Sequence, residues 1–264
     1  MNATPQSATP PHSSPSTRWP WPSLIAHRGG GRFAPENTLA AMQTGYEHGF
    51  CMVEYDVKLS RDGALILLHD DTIDRTSSGS GSATSLTLAE LGNFDFGSWH
   101  HASFNDEPIP VLEAVARYTL ARNMCSNIEI KPSAGEEALT GEQVARAAQA
   151  LWSEAPLPPL LSSFSEAALA AAQRAAPQLP RALLIEGAVP SDWLARLRRL
   201  DCIGLNLDDE YVTQDLVEAV VASGHTVAVW TVNCRDRART LLDWGCQAIV
   251  TDELEKVGTQ ALGL

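Results

Sequence analysis

Beyond Trp21 the chain alternates between two spacings. Short runs rich in Val, Ile and Leu are separated by longer stretches in which apolar side chains recur at helical intervals. The runs are LIAH (24–27), MVEYDVKL (52–59), LILLHD (65–70), NIEIK (127–131), PLLSSF (159–164), RALLIE (181–186), CIGLNL (202–207), TVAVWTVN (226–233) and AIVTD (248–252). Between them lie helix-like segments such as NTLAAMQTGYEHG, which places Leu39, Met42 and Tyr46 on one face, and the Ala-rich GEQVARAAQALWSEA. LILLHD follows MVEYDVKL after only SRDGA, too short for a parallel crossover and suited to a hairpin that closes at Asp62-Gly63. Setting that run aside leaves eight strand–helix units, the count of an α/β fold of the (β/α)8 TIM-barrel type, with an open doubly wound sheet as the alternative.

Two segments break the rhythm. Residues 71–110 are rich in Ser, Gly, Thr and aromatics and long for a plain connection; they are expected to be an insert that follows the second strand and caps one barrel face. Residues 1–20, rich in Ser, Thr and Pro, are expected to be a disordered tail ahead of a single domain spanning 21–264.

The strand pattern also contains residues that do not belong in a core. The first run ends in His27-Arg28. Glu54 and Asp56 sit two apart on one face of the second, and Glu129 and Lys131 two apart on the third parallel run. In barrels of this type the strands' carboxyl ends carry the chemistry. Three carboxylates converging there repel one another unless a cation sits between them, and an all-oxygen set selects Mg2+ or Ca2+ over zinc. With Arg28 and Lys131 included, such a site carries a net charge of about +1, suited to a singly charged phosphodiester. A two-residue hairpin turn pairs Asp56 with His69, so His27 and His69 are expected to reach one place by separate routes. Two imidazoles can supply a base for the attacking oxygen and an acid for the departing one. The glycines of GGGR (29–32) are read as a close approach for the substrate phosphate, and Glu36 and Asn37 as candidate braces for His27 or the metal site.

Composition narrows the partners. The formal net charge of −13 repels nucleic acid and anionic lipid, so an anionic substrate needs a local positive site. Five cysteines, odd in number and without a C-x-x-C pair, read as reduced core thiols. No run approaches the roughly 18 apolar residues of a membrane span, so no stable membrane insertion is expected and a cytoplasmic location fits best. A homodimer is compatible with the sequence, which does not fix the oligomeric state.

The combination HRGGGRFAPENT, VEYDVKLSRDGALILLHDDTIDRTSSGSG, NIEIKP, LLSSF, WTVN and AIVTD resembles the bacterial glycerophosphodiester phosphodiesterases, most closely the cytoplasmic branch associated with glycerol-phosphate uptake. The likeness covers nearly everything after residue 22. It implies a metal-dependent barrel enzyme that releases sn-glycerol 3-phosphate and an alcohol from a small-molecule glycerophosphodiester. It also implies His27 and His69 as the acid–base pair, Glu54, Asp56 and Glu129 as cation ligands, and Arg28 and Lys131 as phosphate contacts. Trp230 resembles an aromatic wall for the glycerol end, although a core tryptophan reaching the rim fits the sequence equally well. Two rival readings share these residues: a phospholipase acting on lysophospholipid or phosphoinositide, and a non-catalytic phosphodiester-binding protein. The order of the two histidines, the choice between direct water attack and a cyclic phosphate, and the headgroup are left open.

Overall fold

A computed structural model of the chain describes residues 19–263. Except for Trp19 and Pro20, the expected tail lies outside them. Nine strands form one sheet: β1 (Leu24–Ala26), β2 (Met52–Leu59), β3 (Leu65–Leu67), β4 (Cys125–Ile130), β5 (Leu160–Ser163), β6 (Arg181–Ile185), β7 (Gly204–Asp208), β8 (Thr226–Trp230) and β9 (Ala248–Thr251). All strands except β3 run parallel in the order β1-β9-β8-β7-β6-β5-β4-β2, and the Ala26–Val53 pair closes the ring. The helices are α1 (Leu39–Glu47), α2 (Leu88–Leu91), α3 (Leu112–Ala121), α4 (Glu137–Leu151), α5 (Glu166–Ala175), α6 (Trp193–Leu200), α7 (Gln214–Ala222), α8 (Arg235–Asp243) and α9 (Thr259–Leu262). Apart from α2, each follows one parallel strand. The fold is therefore a (β/α)8 barrel, as the alternating pattern predicts.

Period-two alternation sorts the strand side chains into two layers. Outward residues such as Val53, Tyr55, Val57, Ile128 and Leu161 pack against the helices in the main core. Inward residues at the amino-terminal end, including Ile25, Met52, Leu160, Ala182 and Ala248, form a separate apolar floor. Trp21 seals that floor, with its indole N–H donating to the Pro158 carbonyl at 2.9 Å, and Trp19 stacks edge-on against it. Higher up the same inner faces, the residues become polar.

Three expectations need correction. The hairpin closes through a three-residue turn: the Ser60 N–H donates to the Ala64 carbonyl, and Gly63 takes φ +80°. Val57 consequently faces Leu67, and the Leu68 N–H donates to the Asp56 carbonyl, so Leu68, rather than His69, lies across from Asp56. Tyr46 points outward, 47% exposed, because α1 buries Ala41, Met42 and Gly45 instead. Of the five free cysteines only Cys202 and Cys246 are buried.

Between β3 and α3 the chain builds a small body of turns around α2. Ile73, Ala83, Leu91, Phe96 and Ile109 pack with Ile66 and Leu68 in a cluster of their own. The segment reaches back to the barrel through His100 Nε2, 3.0 Å from the Arg32 carbonyl, and Glu107, which accepts from the Ala40 N–H.

Candidate active site

The carboxyl ends of the strands surround a cavity of about 310 Å³ lined by His27, Arg28, Glu54, Asp56, His69, Glu129, Lys131 and Trp230. The two histidines, three carboxylates, Arg28, Lys131 and Trp230 expected from the sequence all line it. Asp56 and Glu129 are register partners on β2 and β4, and Glu54 lies one inward position below Asp56. Ligand oxygens of the three carboxylates lie within 4.8 Å of one another, a span that two metal–oxygen bonds of roughly 2.0–2.6 Å can bridge.

The electrostatics are those of crowded acids. Burial, followed by repulsion from Asp56, pushes Glu54 up to about 7 and Glu129 up to about 8. Burial also works against Asp56, but Lys131, Arg28 and His69 together with a hydrogen bond from Asn37 lower it to about 2. Glu129 Oε1 is 2.9 Å from Lys131 Nζ, yet it is buried without a hydrogen bond of acceptable geometry. An all-carboxylate, buried and under-satisfied donor set fits a hard divalent cation.

The loop after β1 is shaped to surround this cluster. Arg28 and Asn37 adopt left-handed backbone at φ 50° and 58°. The Arg28 N–H consequently donates to Glu54 Oε2 at 3.0 Å. Its Nε, buried and without a hydrogen-bond partner, forms an ion pair with Asp56 Oδ2 at 3.7 Å. Asn37 grips Asp56 twice, donating to Oδ2 at 2.8 Å and accepting from its backbone N–H at 3.0 Å. Of the two candidate braces, Asn37 thus holds the acid cluster and Glu36 holds Arg28 at 2.6 Å. The glycines serve packing within the protein: a Cβ on Gly31 would stand 2.3 Å from the Asp252 carbonyl oxygen and one on Gly29 2.9 Å from Met42. Packing within the protein is therefore reason enough for both glycines.

Each histidine has a carboxylate behind it. His27 Nδ1 is 2.7 Å from Asp252 Oδ1, and His69 Nδ1 is 2.7 Å from Asp70 Oδ1. A carboxylate only accepts, so each Nδ1 carries a proton and Nε2 is left to take a second one or, in the imidazolium, to give it. Burial lowers the His27 pKa, but the Asp252 bond and the Glu54 charge outweigh it and the net shift is upward. Burial dominates at His69, and the net shift is downward. Although the hairpin register differs from expectation, His69 reaches the mouth because β3 ends at Leu67 and the chain turns inward beyond it.

Trp230 ends β8 on the cavity wall, with its indole N–H on the Asn206 carbonyl at 3.2 Å and its ring edge-on to Phe164. Sequence reasoning missed Asp252, Asp70, Arg75 and Lys58 as members of the site. Lys58, fully buried, shares the inner face of Glu54 and Asp56, so strand periodicity could have found it. Asp252 closes the AIVTD run as His27 closes LIAH, and position at a strand's carboxyl end was its signal.

A closed barrel with acids, imidazoles and guanidinium gathered at its carboxyl mouth belongs to the class of barrel enzymes that act on anionic esters. The profile of the glycerophosphoryl diester phosphodiesterase family matches residues 27–256, and the chain belongs to that family, which places it among the phosphoric diester hydrolases. A glycerophosphodiester phosphodiesterase of Caldanaerobacter subterraneus subsp. tengcongensis is 31% identical over 232 residues, covering 88% of this chain and 94% of that protein. An Oleispira antarctica phosphodiesterase solved with the product sn-glycerol-3-phosphate superposes with a TM-score of 0.86 at 34% identity, covering 92% of this chain and 98% of that one. A glycerophosphodiester phosphodiesterase from Agrobacterium tumefaciens, at 24% identity and a TM-score of 0.71, shares the fold over 88% of this chain and 98% of its own.

Proposed function

We propose that this chain hydrolyses glycerophosphodiesters to sn-glycerol 3-phosphate and an alcohol. In this reading Glu54, Asp56 and Glu129 hold Mg2+ or Ca2+, and His27 and His69 form the acid–base pair. The observation that carries it is the convergence of three buried carboxylates and two carboxylate-backed imidazoles on one cavity. The product bound by the Oleispira antarctica relative supports the substrate class.

A bound divalent cation supplies charge that offsets the three carboxylates and polarises the phosphoryl oxygens. Arg28 and Lys131 add positive charge beside Asp56, where the diester's anionic oxygens are to be received. Trp230 and Phe164 wall the glycerol end. The Nε2 of His27 lies 3.9 Å from Glu54. Once that carboxylate's charge is offset, His27 loses one of the contributions that favour its proton while keeping the Asp252 bond, which suits it to take the proton of the attacking oxygen. His69, in its imidazolium form, then gives its Nε2 proton to the departing alcohol. A cytoplasmic setting accords with the five free cysteines. Among the described residues no helix is long and apolar enough to cross a membrane.

The test measures sn-glycerol 3-phosphate release from a panel of glycerophosphodiesters with each divalent ion, after chelation, and in His27→Ala and His69→Ala. Loss of roughly 10²-fold or more in each variant is expected of a general acid or base. Full turnover after thorough chelation refutes the cation's role. Higher activity on lysolipid micelles than on glycerophosphocholine overturns the substrate reading.

A further inference from the structure

Arg75, contributed by the 71–110 segment, has no part in the reaction as described. Its guanidinium lies between two carboxylates and bonds each of them twice. Nε and Nη2 reach Asp70 at 2.7 and 3.1 Å, while Nη1 and Nη2 reach Glu36 at 2.7 and 2.8 Å. Each carboxylate in turn holds a reacting group: Asp70 is on His69 Nδ1 and Glu36 on Arg28 Nη1. The line His69–Asp70–Arg75–Glu36–Arg28 is therefore continuous and spans the mouth. Lys58 steadies the same stretch from inside, with Nζ 2.5 Å from the Asp70 carbonyl and 2.9 Å from Asp71 Oδ1.

Two bidentate pairs joined in one network can add stability even where Arg75 is half exposed, but the same geometry also does something that folding stability does not measure. A planar fork bonding two carboxylates at once fixes distances and angles, which a flexible ammonium cannot do. Proton transfer is sensitive to such placement, with a misplacement of about 1 Å costing roughly 10²-fold.

We propose that Arg75 is a positioning residue that fixes His69 relative to Arg28, so that the 71–110 segment sets the distance between the proton donor and the phosphoryl group. The inference rests on reading His69 as the acid toward the leaving alcohol. In that step the bond from phosphorus to the headgroup oxygen breaks and that oxygen takes the His69 Nε2 proton. The attacking oxygen bonds to phosphorus as its own proton passes to His27.

The test compares two substrates with the same glycerol end. Glycerophosphocholine releases an alcohol that must be protonated, whereas the 4-nitrophenyl diester of sn-glycerol 3-phosphate releases a stable phenolate. Arg75→Ala and Arg75→Lys are each expected to lose roughly 10- to 100-fold in kcat on the first and within about threefold on the second. A fall in unfolding temperature would lower turnover of both substrates alike, so it cannot produce a difference between them. Equal losses on both substrates, or no loss on either, overturn the proposal. His69→Ala separates the two layers of the argument. If it loses equally on both substrates, the acid reading falls and Arg75's role with it; if it spares the nitrophenyl diester and the Arg75 variants do not, only the positioning proposal falls.

Discussion

Met52, Glu54, Asp56 and Lys58 share the inner face of β2, and along it the environment changes from apolar floor to a row of buried charges. Glu54 and Glu129 retain protons to about pH 7 and about 8 in the folded chain, against 4.5 for an ordinary glutamate. Between those limits the folded state binds more protons than the unfolded one, so stability falls as pH rises. His27, raised, acts in the same direction, and His69, lowered, opposes it. Stability present below about pH 4.5 is therefore lost through pH 7 to 8. In chelator, the urea midpoint should drop from pH 5 to pH 8, and excess Mg2+ or Ca2+ should remove that drop. A chelated midpoint that climbs over the range contradicts the crowding. The acids could be read from the sequence because a period of two puts them on one face. Asn37, Asp70 and Arg75 were less legible as a set, since their partnerships depend on left-handed backbone and a loop crossing that no periodicity encodes.

At the scale of elements, the strand–helix alternation was legible because apolar runs and amphipathic stretches differ in period. All nine predicted strand runs overlap a strand, the runs at 127–131 and 202–207 being offset from theirs by one or two residues. The hairpin was misread by one residue because a three-residue turn with glycine in left-handed conformation suits Asp62-Gly63 as well as a two-residue turn does. The 71–110 segment offered no period at all. Its stability comes from a small cluster in which Phe96 is only 3% exposed. Phe96→Ala should cost about 3–5 kcal/mol by urea denaturation if that cluster unfolds together with the barrel. A cost under about 1 kcal/mol, a value ordinary for surface sites, would mean that the segment is not part of the cooperative unit.

For the molecule as a whole, a net charge of −13 surrounds a mouth that carries Arg28 and Lys131. Diesters of zero net charge, such as glycerophosphocholine, should be nearly indifferent to ionic strength. Those of net charge −1, such as glycerophosphoglycerol, should gain roughly twofold or more in kcat/KM as salt screens the long-range repulsion. Stopped assays across a salt series decide the matter; a decline for the anionic diester would mean that the local cations dominate the approach. The cavity itself is smaller than the Debye length, so kcat should change little. Overall charge could be read from composition and the sign of the cation-loaded mouth from its five charged residues; the fold supplies their meeting on one cavity.

His27 and Asp252 touch although 225 positions separate them. A ribosome has therefore to deliver β9 and the residue after it before His27 acquires its partner. Fragments ending short of β9, whether stalled in translation or clipped by a protease, are left with that imidazole unbacked, so the closing of the barrel and the onset of its chemistry coincide.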